Sequence, residues 1–287
     1  MRPVRHVIRT WVLDIALGVI GGARVPVIIV GGRGDIARLV TGFSPAYHTD
    51  FWRVRRLGRA YLAATHHGTA AANLAPALSS ALGNWGAGLR QAPGLQSIAA
   101  MISSLATSSV HASLVALQNS ARSGLTIAGG SRAFAGLGAS PPTVTTFDRN
   151  LFSALDQLAN GLFIGNTNVT YPMKAVLLIT GLMPAFDSQV RRGLQRGGFG
   201  GMSSTRYPLP SSTAGAGWMK ISRLPFLFGE CWRTYAPRIR TEIWRSRHRI
   251  LVVEPGRLFD VLLFMQGDPR NPVVVTYHGQ RRWYDLT

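Results

Sequence analysis

The chain has few cysteines, lysines and acidic residues. Among its 287 residues are one cysteine, Cys231, two lysines and 12 acidic side chains. One cysteine excludes an intramolecular disulfide and any metal or iron–sulfur site built from several cysteines. The seven histidines are scattered, and the adjacent His66 and His67 point to different sides of a helix. No phosphate-binding loop or Ser-His-Asp order is present either, so we expect no metal and no other cofactor.

The scarcity of acids leaves a strongly basic chain. Against the 12 acidic residues stand 31 basic ones, which gives a formal net charge of +19 and a sequence pI near 11.6. A GC-rich genome explains arginine in place of lysine, but it does not explain why Asp and Glu are so few. Such a surface attracts polyanions through long-range fields and counterion release. The composition therefore predicts DNA or RNA as partner, with an anionic membrane surface as the alternative.

A hydrophobic content of 46% is enough for an ordinary folded core. The periodicity predicts a mainly α fold, a helical bundle with a small mixed N-terminal segment and a short C-terminal strand in "PVVVTY". We divide the chain into an α/β segment at 1–45, a helical region at 46–125, a Gly/Ser/Pro linker at 126–146 and a helical domain at 147–287. The sequence carries no signal for an oligomeric state.

Two stretches are candidates for membrane contact. Residues 11–30 are apolar apart from Asp14 and Arg24, and we favour a short helix followed by a strand at 25–30 and a Gly-rich turn. Residues 97–117 carry no formal charge and are long enough to span a bilayer, but six serines make them poorly apolar. We expect a buried helix there and a cytoplasmic protein, with a targeting or membrane segment as the alternative.

The most organised stretch is "KAVLLITGLMPAFDSQVRRGLQRGG", residues 174–198. It starts as a helix that is apolar nearly all round, as expected for a helix buried in a bundle. Pro184 cannot continue that helix, and Asp187 provides an N-cap for the basic helix that follows. Gly197 and Gly198 supply the stop. The cap alone accounts for an aspartate at this position, with a typical contribution of about 1 kcal/mol.

The order of apolar helix, Pro-containing loop, Asp-Ser and basic helix resembles the region of the catalytic aspartate in the helix-hairpin-helix DNA glycosylases. The resemblance covers residues 174–198; the family's hairpin turn is replaced by "GNTNVTYPM". It implies that Asp187 is catalytic, that Ser188 is the hydroxyl residue beside it, and that Lys174 stands near the place of the lyase lysine. It also implies a pocket that receives an extruded base.

Arginines interleaved with aromatic residues mark a second set of candidates. This pattern is typical of surfaces that hold phosphates with basic side chains and stack bases on rings. The predicted nucleic-acid-binding residues in this pattern are Arg233, Arg238, Arg240, Trp244, Arg245, Arg247 and Arg249. Arg191, Arg192 and Arg196, on the basic helix that follows Asp187, are predicted to bind nucleic acid as well. The sequence thus predicts a basic nucleic-acid-binding protein without catalysis. The alternatives are a base-excision enzyme that uses Asp187 and a membrane-associated protein.

Overall fold

The computed structural model describes residues 19–20, 23–89, 91–136, 142–202, 207–244 and 246–287, and it is mainly α-helical, as predicted. Within these ranges ten α-helices and one short 3-10 helix, Arg249–Val253, follow one another. The α-helices are α1 Asp35–Gly42, α2 Pro45–Ala63, α3 His67–Asn84, α4 Ile98–Leu105, α5 Ser108–Arg122, α6 Val144–Leu162, α7 Thr170–Thr180, α8 Ser188–Arg196, α9 Ala216–Ile243 and α10 Pro255–Gln266.

The strands are short and form two-stranded antiparallel pairs. The pairs are β1 Val19–Ile20 with β2 Ala23–Arg24, β3 Val27–Ile29 with β8 Val275–Tyr277, β4 Gly94–Leu95 with β7 Phe163–Ile164, and β5 Leu125–Ala128 with β6 Ser131–Phe134. Strand β8 confirms the predicted C-terminal strand, and β3 confirms the strand expected at 25–30. The helix predicted before β3 falls mostly on residues outside the described ranges, and the described residues of that stretch form β1 and β2.

Helix α7 lies at the centre of the molecule, with all but one of its residues buried. Helices α2, α3 and α6 pack against it. Helical spacing puts Phe51, Val54, Gly58 and Tyr61 on one face of α2, and this face is buried. On another face of the same helix, Arg53, Arg56 and Arg59 are exposed. Buried residues from Val27 to Leu286 form one continuous hydrophobic core.

The helix predicted at 97–117 is two helices, because α4 ends at Leu105 and α5 begins at Ser108 with a bend of 67° between them. The bend changes which residues face the core, so Met101, Leu105 and Leu114 are buried and Ile98 is partly exposed. Among the described helices, none is by itself both long and apolar enough to cross a membrane, and this bent pair meets the length and composition requirement only when both helices are counted together.

Part of the linker predicted at 126–146 has regular structure. Strands β5 and β6 form a hairpin whose turn residues Gly129 and Gly130 have φ angles of 59° and 83°, which glycine adopts without strain. Leu125 and Thr126 are buried, and β5 packs on α9. Gly129 and Gly130, which contributed to the prediction of a linker, therefore form a hairpin turn. The predicted linker also overlaps helix α6, which begins at Val144.

Helices α8 and α10 approach so closely at Gly193 that a methyl group there would collide with the Leu263 carbonyl oxygen. We expect Gly193→Ala to lower the free energy of unfolding by about 1–3 kcal/mol, as overpacking does in other proteins. Gly68 near the start of α3 has open space around it, so Gly68→Ala is the matched control and is expected to be neutral or stabilising. Urea denaturation of both variants checks this, and equal effects would contradict the close contact.

Candidate functional site

The stretch that contains Asp187 folds as its residues predict. Helix α7 ends at Gly181, which has a left-handed backbone with φ 68°, and an extended loop leads to Asp187. Asp187 Oδ1 accepts a hydrogen bond of 2.9 Å from the Val190 backbone N–H and so caps α8. The helix ends at Gly197. The predicted buried helix, loop, cap and basic helix are confirmed.

Asp187 also borders a cavity of about 70 Å³. The lining residues are Phe43, Tyr47, Trp85, Lys174, Ala185, Asp187, Arg257, Asp260 and Phe264. Because a cavity needs about 15 Å³ to hold one water, this one has room for roughly five water-sized groups. Four aromatic rings, two carboxylates and two cations thus meet around one small space, which suits a flat polar group with an apolar face.

Lys174, the second residue suggested as catalytic, lines the same cavity. Its side chain is buried, and Nζ donates a 2.6 Å hydrogen bond to the Trp85 carbonyl oxygen. Nζ also lies 5.2 Å from the centre of the Tyr171 ring, within the range of a cation–π contact. The structure therefore brings Asp187 and Lys174 to one site, from the two ends of the same helix–loop segment.

A buried ion pair between Arg257 and Asp260 forms another part of the wall. Arg257 Nη1 lies 2.5 Å from Asp260 Oδ2, and both side chains are almost fully buried. Asp260 Oδ1 accepts a 2.9 Å hydrogen bond from the Ala185 N–H, which fixes the loop before Asp187. Burial raises the pKa of Asp260 to about 6 against the pull of Arg257, and the charge of Asp187 adds to the rise.

Aromatic rings surround the Arg257 guanidinium. Its central carbon lies 5.0 Å from the centre of the Phe43 ring, 5.2 Å from that of Phe51 and 4.8 Å from that of Trp85. These contacts stabilise a cation that water does not reach. Neither Arg257 nor Asp260 is among the site residues that the sequence predicts. The sequence signal that could have identified them is that they are the only charged residues in the mostly apolar α10.

His48 extends this charged cluster behind the cavity wall. Its ring stacks on His248 at 4.3 Å and lies 5.1 Å from the Phe43 ring. Burial, followed by the positive charge of Arg257 and the neighbouring His248, lowers the pKa of His48 to about 4. His48 is therefore neutral at physiological pH, although it is deeply buried beside cations.

Three of the arginines predicted to bind nucleic acid have structural contacts. Arg191 is buried and donates a 2.6 Å hydrogen bond to the Phe186 carbonyl oxygen, at the loop before α8. Arg196 donates to backbone carbonyls after α10, including that of Asp268 at 2.6 Å. Arg238 pairs with Glu242 at 3.0 Å and donates to the Ile29 carbonyl at 2.8 Å. These guanidinium groups hold neighbouring segments together.

Of the other predicted arginines, those that the structure describes face solvent. Arg233 is exposed but pairs with Glu230 at 2.7 Å, and Arg245 lies outside the described residues. The exposed remainder is Arg192, Arg240, Arg247 and Arg249. Arg240 lies over the Trp232 ring at 5.4 Å and Arg249 over the Trp244 ring at 5.7 Å. Arginine and aromatic side chains are therefore in contact, as their interleaving suggests.

Most acidic residues in the described ranges form ion pairs with arginine. In the described ranges, eight acidic side chains pair with arginine within 4.0 Å. Several of these pairs are buried, such as Glu254 with Arg55. Exposed arginines for which the described residues supply no acidic partner are Arg33, Arg53, Arg56, Arg122, Arg149, Arg192, Arg240, Arg247, Arg249 and Arg281. The positive excess is therefore at the surface.

Comparison of the chain with protein-family models, with curated proteins and with solved structures gives no match. Across the ranges that the structure describes, no group of three or more His, Cys, Asp or Glu side chains is placed to hold a metal ion.

Cys231 is buried, and burial raises the pKa of its thiol well above the ordinary value.

Proposed function

We propose that the protein binds nucleic acid through its exposed arginines. The observation that carries this proposal is the distribution of charge. Most acidic side chains in the described ranges form ion pairs with arginine, and several of these pairs are buried. Many other arginines face solvent without an acidic partner among the described residues. Each phosphate that such an arginine neutralises releases condensed counterions, which favours binding most strongly at low salt.

The contacts of Arg240 and Arg249 support nucleic acid as the polyanion. Both guanidinium groups lie over tryptophan rings, Trp232 and Trp244 respectively. A surface of this kind offers charge to phosphates and flat apolar area to bases or sugars. Exposed arginines without rings would attract any polyanion equally, so the mixed surface is what favours nucleic acid.

Salt dependence tests the proposal. The logarithm of the binding constant should fall linearly with the logarithm of salt concentration, by about 0.9 per phosphate contact on duplex DNA. We expect Arg247→Gln with Arg249→Gln to lower that slope by about two and to weaken binding to all sequences alike. Fluorescence anisotropy with labelled DNA and RNA measures both quantities.

Arg270→Gln provides the matched control for charge. Arg270 is exposed but paired with Asp268 at 2.6 Å, so its removal changes the net charge by the same amount without removing an unpaired cation. The slope of the binding constant against salt concentration should change less in Arg270→Gln than in a variant at Arg247 or Arg249 alone. Absence of binding to DNA and RNA at low salt would overturn the proposal.

A second candidate function is base excision, and the Asp187 cavity is the observation that favours it. A carboxylate, a lysine and four aromatic rings border a small space next to a capped basic helix. Aromatic and apolar walls are what enzymes use to hold an extruded base, and an aspartate stabilises positive charge that develops on the sugar. On this hypothesis Asp187 is the catalytic carboxylate and Lys174 a second reactive group.

A further inference from the structure

Exposed apolar side chains are concentrated in one segment of the described chain. Trp244 is 67% exposed, Ile250 53% and Val253 58%, and these are half of the large hydrophobic side chains exposed in the described ranges. Single exposed apolar residues are ordinary, but three within ten residues leave apolar area in water that a bound partner would cover.

The 3-10 helix explains why these side chains lie together. With three residues per turn, positions three apart lie one above the other, so Ile250 and Val253 share a face. Leu251 is fully buried and fixes that face toward solvent. Arg249 connects the face to the end of α9, since its guanidinium lies 5.7 Å from the centre of the Trp244 ring. We call Trp244, Arg247, Arg249, Ile250 and Val253 the 244–253 strip.

Charge restricts what covers the strip. The segment 244–253 contains arginines and no acidic residue, and the next residue, Glu254, is buried and paired with Arg55 and Arg59. A partner must therefore combine negative charge with apolar area. An unpaired strand of nucleic acid does so, because its phosphates alternate with bases whose flat faces are free. In a duplex those faces are stacked on one another and hidden.

We propose that the 244–253 strip binds single-stranded nucleic acid, with base faces against Trp244, Ile250 and Val253 and phosphates on Arg247 and Arg249. This inference rests on the proposed function and narrows it, since the strip discriminates unpaired from paired strands. Arg249 lies on one face of the indole, and the exposure of Trp244 leaves area for a base to stack. Because stacking needs no base-specific hydrogen bond, the strip tolerates any sequence.

Affinities for an oligothymidine strand and for a duplex of equal length, measured by anisotropy at one low salt concentration, test the inference. Trp244→Ala should weaken single-strand binding by roughly five- to a hundredfold and leave duplex binding within about twofold, given what one stacked base contributes. Ile250→Ser should act in the same direction with a smaller effect. Ile164→Ser changes an aliphatic side chain of similar exposure, 59%, outside the strip and should alter neither affinity.

Four results would overturn the inference. If Trp244→Ala leaves single-strand affinity unchanged and the protein still binds duplex DNA, the strip has no role in binding, but the proposed function still holds. Equal weakening on both substrates shows that the strip does not distinguish unpaired strands. If Trp244→Ala reduces sedimentation with anionic vesicles but not single-strand affinity, the strip is a lipid surface. Absence of binding to any nucleic acid removes this inference and the proposed function together.

Discussion

Arg257→Met is expected to lower the free energy of unfolding by about 3–5 kcal/mol at neutral pH, because it leaves the Asp260 carboxylate buried without a partner. The Arg257 guanidinium is 1% exposed, within cation–π distance of three rings and 2.5 Å from Asp260. Methionine fills much of the same volume, so the charge and not the space accounts for the loss. Chemical denaturation measures it.

The loss should grow with pH. The pKa of Asp260 is about 6 in the folded protein against an ordinary value of 3.8, so its contribution to stability falls as pH rises from about 4 to 6. The pKa of His48 is about 4 against 6.5, so its contribution rises over nearly the same range. In the native protein the two contributions therefore change in opposite directions over this pH range.

Removal of Arg257 disturbs this balance in one direction. Its positive charge lowers both pKa values, so both rise in the variant. His48 then returns toward its unfolded value and Asp260 moves further from its own. Both changes make the stability of the variant decrease more steeply with pH, so the difference from the native protein should be larger at pH 8 than at pH 5.

A double variant separates the charge from the packing. An asparagine side chain carries no charge and can still accept a hydrogen bond from the Ala185 N–H, so Asp260→Asn should stabilise the Arg257→Met protein at pH 8. The same substitution should destabilise the native protein, where it leaves Arg257 unpaired. Arg56→Met changes an exposed arginine and should stay within about 0.5 kcal/mol. An equal effect of Asp260→Asn in both backgrounds would contradict the ion-pair explanation.

Local patterns predicted much of the fold. The inward face of α2 follows from helical spacing, and the cap at Asp187 follows from one aspartate between a proline and a helix-forming run. These features depend on residues close in sequence, whose spacing fixes geometry directly. The break at Thr107 was missed because the composition is continuous there and the chain changes direction through tertiary packing.

The cavity depends on contacts that spacing does not encode. Its walls come from the start of α2, the end of α3, α7 and α10, and Tyr47 and Trp85 lie far apart in sequence from Asp260. The arginines show the same limit. Arg191 and Arg192 are adjacent and alike in sequence, yet one is buried on a carbonyl oxygen and the other exposed. Burial, which tertiary packing sets, decides which of them is free to bind.

Asp187→Asn gives the sharpest test of base excision, because it removes the charge and keeps the cap. Asparagine caps helices about as well as aspartate, so stability and nucleic-acid affinity should be nearly unchanged. If the cavity performs base excision, the rate of base release should fall at least roughly a hundredfold, since the carboxylate no longer stabilises the positive sugar or positions water. Duplexes with a panel of damaged bases, assayed for abasic sites, measure this.

Two further variants connect the loss to the cavity. Asp156→Asn makes the same change of charge at an exposed acid on α6 and should leave excision unchanged. Asp187→Ala should combine the lost activity with about 1 kcal/mol of lost stability, which measures the cap separately. Asp260 is a poor substitute for Asp187, since both of its oxygens are engaged, by Arg257 and by the Ala185 N–H. If no duplex yields an abasic product, the base-excision hypothesis is rejected and Asp187 remains a helix cap that borders a cavity.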